Sequence, residues 1–136
     1  MNRRRLAIAS DHAGAPLKTE LLEHFALIAP HWEPLDLGLP EGDPTDDYPD
    51  AARLVAEAMR QGAAERGLLL CGSGIGVAIA AGKYPHVGAA RVHDAESAAA
   101  GVMSEGLNVL CLGGRQIGWQ QATTVLAAFL SADPLD

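Results

Sequence analysis

The sequence predicts an α/β fold: a parallel β-sheet covered on both faces by helices. Three observations carry that reading. Short apolar runs alternate with longer helical patterns along all 136 residues, and strand–helix alternation of this kind produces parallel sheets. The composition is 49% hydrophobic but only 4% aromatic, so the core is built from Ala, Leu, Val and Ile, small enough for helices to lie close on a sheet. No linker, low-complexity tract or repeat of fixed period interrupts the pattern, so residues 1–136 are expected to form one domain.

Each element has its own signal. "RLAIAS" reads as the first strand and "APLKTELLEHFALI" as an amphipathic helix. "PLDLG" is a short strand, and "YPDAARLVAEAMRQG" a helix opened by Asp47 as cap and closed by Gly62. "RGLLLC" is a buried strand followed by the short helix "GVAIAAGK". "VGAARVHD" and "NVLCLGG" are the last two strands, each leading into a helix, "AESAAAGVMSEG" and "GWQQATTVLAAFLSA".

Composition also excludes partners. A formal net charge of −7 argues against nucleic acid, whose phosphates need clustered Lys and Arg. The single basic cluster, Arg3 to Arg5, reads as a solvated terminus. The start "MNRRRLAIASD" has an apolar run cut short by Ser10 and Asp11, so no signal peptide is expected. No run approaches the ~18 apolar residues of a membrane span. Two cysteines, Cys71 and Cys111, make no disulfide framework, and a reducing, cytoplasmic setting is expected.

In open α/β sheets ligands bind outside the carboxyl ends of the strands. Those ends carry Ser10, Asp11 and His12; Cys71 to Gly76; His93 and Asp94; and Gly113, Gly114 and Arg115. Polar and reactive residues gather there and are nearly absent inside the strands. The densest motif is "LLLCGSGIGVAIAAGK", Leu68 to Lys83, where a strand ends in a thiol and three glycines spaced by two. A dinucleotide fingerprint would need a third glycine where Val77 stands, and a P-loop fails at Val77 and at Tyr84 after Lys83. What remains is a nest of N–H groups from Gly72 to Val77 suited to an anion, beside a cysteine at a helix start, a position that favours thiolates in general. A thiol next to an anion hole suits acyl transfer or proton abstraction beside a carbonyl. It could equally be a small buried hydrophobe before a tight turn. Asp11 and Asp47 could serve only as helix caps, Tyr48 only as a packing ring, and Arg115 only as a solvated loop residue. His24, His31 and His86 read as surface positions. No spacing gathers three metal ligands, so neither metal nor cofactor is expected.

Taken together, "ASDHAG", "DYPD", "LLLCGSGIGVAIAAGK" and "NVLCLGGRQIG" resemble the ribose-5-phosphate isomerase B family, which also includes galactose-6-phosphate and tetrose-phosphate isomerases. The resemblance covers nearly the whole chain. It implies a three-layer α/β/α sandwich with a five-stranded, Rossmann-like parallel sheet, metal-free aldose–ketose isomerisation, and homodimers or tetramers with shared active sites. Position by position, it makes Cys71 the base that moves a proton between C1 and C2, with Ser73 assisting and Asp11 handling hydroxyl protons. The amides of Gly72, Gly74, Ile75 and Gly76 would hold the enediolate oxygens. His12 and Arg115 would contact phosphate, and Asp47 and Tyr48 would line the sugar site.

The sequence departs from the family at three places. Ser104 and Glu105 stand where many relatives carry a His-Asn pair that opens the furanose ring. No counterpart of the family's basic Gly-Gly-Arg-His-x-x-Arg tail appears before Asp136. Gly82 stands where Asn is common, and Arg91 lies one strand position away from an arginine that many relatives have near Gly88. Arg91, His93, Ser104 and Glu105 are therefore further candidates for the site, Arg91 toward phosphate and His93 toward ring opening. The expected substrate is ribose 5-phosphate, interconverted with ribulose 5-phosphate. A tetrose 4-phosphate, which cannot close a furanose, is the runner-up, and a hexose 6-phosphate stays open. A non-catalytic sugar-phosphate sensor is the competing class; Cys71 and Ser73 beside the nest favour the enzyme.

Overall fold

The computed structural model describes residues 3–38 and 47–135. Met1, Asn2 and Asp136, on which the expectations about the chain's two ends partly fall, lie outside it. The described elements are β1 (Arg4–Ser10), α1 (Ala15–Glu23), α2 (Phe25–Ile28), β2 (Trp32–Asp36), α3 (Tyr48–Arg60), β3 (Arg66–Cys71), α4 (Ile75–Ala81), β4 (Ala89–Arg91), α5 (Ala95–Ser104), β5 (Val109–Gly113) and α6 (Trp119–Ser131). The five strands form one sheet in the order β2-β1-β3-β5-β4, every pair parallel. The α/β/α architecture expected from alternation is therefore the one found.

The two faces of the sheet differ because strand side chains alternate in direction. Leu6, Ile8, Leu68, Leu70, Leu110 and Leu112 point to one face, where α1, α2, α5 and α6 cover them. Ala7, Ala9, Leu69, Cys71, Val109 and Cys111 point to the other, under α3 and α4. Small residues on this second face let α3 come close: a Cβ on Gly67 would lie 2.4 Å from Val55 Cγ1. Near the amino ends of the strands, buried Arg66 donates to the Phe129 carbonyl at 2.7 Å and to Asp133 at 2.9 Å. Trp32 Nε1 donates to the Leu130 carbonyl at 3.0 Å. These bonds tie the amino ends of β2 and β3 to the end of α6 and the residues just after it.

Two elements differ from the sequence expectation. The first helix is broken at His24, whose backbone leaves helical geometry (φ −108°, ψ 8°). Its ring Nδ1 bonds the Glu20 carbonyl at 2.8 Å and stacks on Trp119 at 4.9 Å. The Glu20 carbonyl is the one a continuous helix would offer to the His24 N–H. The fourth strand is shorter than "VGAARVHD", because only Ala89, Ala90 and Arg91 pair, with Val109, Leu110 and Cys111.

The topology places the site. The connection after β1 runs to α1 on the leucine face, whereas that after β3 runs to α4 on the alanine face. Neighbouring strands whose chains leave to opposite faces open a crevice at their carboxyl ends. β3 has such a neighbour on both sides, since β5 leads to α6 on the leucine face.

Candidate active site

A cavity of about 440 Å³ sits in that crevice, lined by Asp11, His12 and Ala13 after β1, Cys71, Gly72, Ser73 and Gly76 after β3, Arg115 and Gln116 after β5, and Tyr48 at the start of α3. Asp11 is buried. Its N–H donates to the Leu70 carbonyl at 3.2 Å, and its Oδ1 accepts from Gly14 N–H at 3.0 Å. It therefore caps the turn into α1 while standing at the cavity wall. Asp47, by contrast, is exposed and caps α3, accepting from Tyr48 N–H at 2.8 Å. That cap sets the position of the Tyr48 ring, which lies over Gly76: a Cβ there would be 2.8 Å from the ring.

The loop after β3 is held from both sides. Gly74 takes φ 79°, a left-handed conformation that glycine adopts without strain. A Cβ on it would also meet the Gly113 nitrogen at 2.8 Å. The carbonyls of Cys71 and Gly72 accept from the N–H groups of Gly114 (2.7 Å) and Arg115 (3.0 Å). In a trans peptide the N–H points opposite to its carbonyl, so the N–H groups of Gly72 and Ser73 face away from β5. Inside the loop, Gly74 N–H donates to Cys71 Sγ at 3.1 Å, and Ile75 N–H donates to Ser73 Oγ at 3.1 Å. Two of the four amides singled out in the sequence are thus engaged within the chain. Ser73 is placed both to hold the start of α4 and to reach the cavity.

The further candidates lie outside the cavity wall. Arg91 Nε donates to the Ser73 carbonyl at 2.7 Å. His93 Nε2 accepts from Gly113 N–H at 3.0 Å, so in the neutral ring the proton sits on Nδ1. Its carbonyl accepts from Gln121 at 2.6 Å. Burial, then the charge of Arg91, lower the His93 pKa from its ordinary value. Asp94 caps α5, accepting from Ser97 N–H at 2.8 Å, and that bond holds its carboxylate below the usual range. Ser104 and Glu105 are exposed at the end of α5. Ala13 and Gln116 are the cavity residues that sequence reasoning passed over; the signal of Gln116 was adjacency to Arg115 in the turn after β5, and that of Ala13 adjacency to His12. Cys111 is fully buried, and burial, then Cys71, push its thiol far up. Among the described residues no group of three His, Cys, Asp or Glu is placed to hold a metal, and no helix is long and apolar enough to cross a membrane.

A crevice that pairs a thiol and a carboxylate with an arginine suits a small anionic metabolite, and comparison with known proteins specifies the chemistry. Residues 6–135 match the family model described as Ribose/Galactose Isomerase. A probable ribose-5-phosphate isomerase B of Mycoplasma pneumoniae is 40% identical over 125 residues, 92% of this chain and 81% of the relative. D-Erythrulose-4-phosphate isomerase 2 of Mycolicibacterium smegmatis is 34% identical over 129 residues, 95% of this chain and 85% of the relative. The solved structure of Trypanosoma brucei type B ribose 5-phosphate isomerase superposes with a TM-score of 0.90 at 34% identity, covering 98% of this chain and 89% of that one. Fold and relatives together define an enzyme, an aldose–ketose isomerase of sugar phosphates. The chain belongs to the ribose/galactose isomerase family.

Proposed function

We propose that the enzyme interconverts ribose 5-phosphate and ribulose 5-phosphate through a cis-enediolate, with Cys71 as the base. The observation that carries this reading is the position of Cys71. Its sulfur lies at the cavity wall within 3.1 Å of the Gly74 N–H, and the N–H groups of Gly72 and Ser73 are turned away from β5. The thiolate takes the proton from C2 of the open-chain aldose. The electron pair moves into a C1–C2 double bond, and the carbonyl oxygen on C1 becomes an oxyanion that accepts from those amides. The same sulfur returns the proton to C1, while a proton passes from the O2 hydroxyl to O1. In this reading Asp11 relays that proton, Arg115 and His12 meet the phosphate, and Tyr48 lies along the sugar; all four line the cavity.

Replacing Cys71 with Ala should lower kcat about 10²–10⁴-fold and abolish exchange of solvent deuterium into C1 and C2. A variant that turns over at the parental rate would overturn the assignment.

A tetrose phosphate is the second substrate reading. Ser104 and Glu105 lie away from the cavity of their own chain, and the relative in M. smegmatis is named for erythrulose 4-phosphate. Comparing kcat/KM for ribose 5-phosphate and erythrulose 4-phosphate decides between them. We also infer a homodimer as the minimal assembly: Ile75 and Ile79 on α4 are 52% and 62% exposed, beside a site that opens to solvent. A fully active monomer by light scattering would refute it. The free thiols of Cys71 and Cys111 fit a cytoplasmic location.

A further inference from the structure

The loop that carries Cys71 has three consecutive carbonyls bonded from outside, and the third bond is unlike the first two. Cys71 and Gly72 use backbone donors of β5's turn, which any side chains there would supply. Ser73 uses a side chain, the Arg91 guanidinium of β4, through Nε at 2.7 Å. The carbonyl of Ser73 and the N–H of Gly74 belong to one peptide unit, and that N–H is the donor to Cys71 Sγ at 3.1 Å. Because the unit is planar and trans, a donor fixed at its carbonyl end sets the direction of its N–H end. A cation bonded to the carbonyl also polarises the unit and strengthens the N–H as a donor. Arg91 does not line the cavity, so its reach toward the reaction runs through this peptide and not through the substrate.

We propose that Arg91 is a positioning residue that holds the Ser73–Gly74 peptide so that its N–H stabilises the thiolate of Cys71. Its effect on the sulfur does not depend on turnover; only its effect on kcat rests on Cys71 being the base. Arg91 is exposed, so Arg91→Met and Arg91→Lys should leave the fold intact. The test measures the rate at which iodoacetamide alkylates Cys71 at pH 7 in the full chain, read by mass spectrometry with buried Cys111 as internal control, alongside kcat and KM for ribose 5-phosphate. Arg91→Met should slow alkylation about fivefold, the scale of one net hydrogen bond. It should lower kcat by a similar factor with little change in KM. Arg91→Lys should recover part of both, because a cation can still reach the carbonyl. Unchanged alkylation in Arg91→Met, or a loss confined to KM as for a phosphate ligand, would overturn the proposal. If Cys71→Ala kept full activity, the base assignment would fall while the alkylation contrast still decided the role of Arg91.

Discussion

Gly74 and Gly76 separate two ways a single residue can matter in this loop. Gly74 carries φ 79° and also abuts Gly113, so any side chain there is strained twice. Gly74→Ala is expected to cost about 1–3 kcal/mol of stability and to abolish turnover by moving the Gly74 N–H off Cys71; urea denaturation and a steady-state assay check both. At Gly76 the nearest atoms a Cβ would meet all belong to the Tyr48 ring. Gly76→Ala should therefore lower kcat/KM while largely sparing stability, and adding Tyr48→Ala should remove the conflict without restoring activity. The glycine spacing was legible in the sequence, since C-G-S-G-I-G is contiguous. That one glycine answers to a backbone angle and the other to an aromatic ring 28 residues away in sequence was not, because the ring's place depends on how α3 lies over α4.

At the scale of elements, the end of β4 is joined to β5 and α6 through one histidine. His93 accepts from Gly113 N–H at Nε2 and from Gln121 at its backbone carbonyl, and the first of these bonds requires a neutral ring. Its pKa is lowered from 6.5, by burial first and Arg91 second. In the window between that lowered value and 6.5 the unfolded chain holds a proton that the folded chain lacks, so stability rises with pH there. It is fully present above 6.5 and is lost as pH falls through the folded-state value. Thermal midpoints should hold steady above neutrality and decline on acidification, and His93→Gln should flatten that decline. An unchanged acid limb in the variant would remove His93 as its source. In the sequence His93 was a candidate for ring opening; in the fold its Nε2 already has a backbone partner. A histidine at a strand end has two uses, and only the neighbouring strand's register distinguishes them.

For the whole molecule, the site and the support lie at opposite ends of the sheet. The carboxyl ends of the strands hold Asp11, Cys71 and Arg115, and the amino ends hold Arg66 against Phe129, Asp133 and Trp32. Arg66→Met should destabilise the fold by about 2–3 kcal/mol, since a charged donor to a buried carbonyl is lost, yet leave KM unchanged. A change in KM would show that the two ends are coupled. The α/β class, the order of strands and helices along the chain, the residues at the strand ends and the Cys-Gly-Ser-Gly motif were all determined by the sequence alone. They rest on periodicity and on contiguous residues, which depend on local backbone geometry. Only the tertiary structure decided that β3 lies between β1 and β5, that the first helix breaks at His24, and that Gln116 joins the cavity wall. It also decided that Arg91 reaches the Ser73 carbonyl from 18 residues away. Those facts depend on which face each connection takes and on the parallel register of β4 with β5, and such long-range packing leaves no period in the sequence.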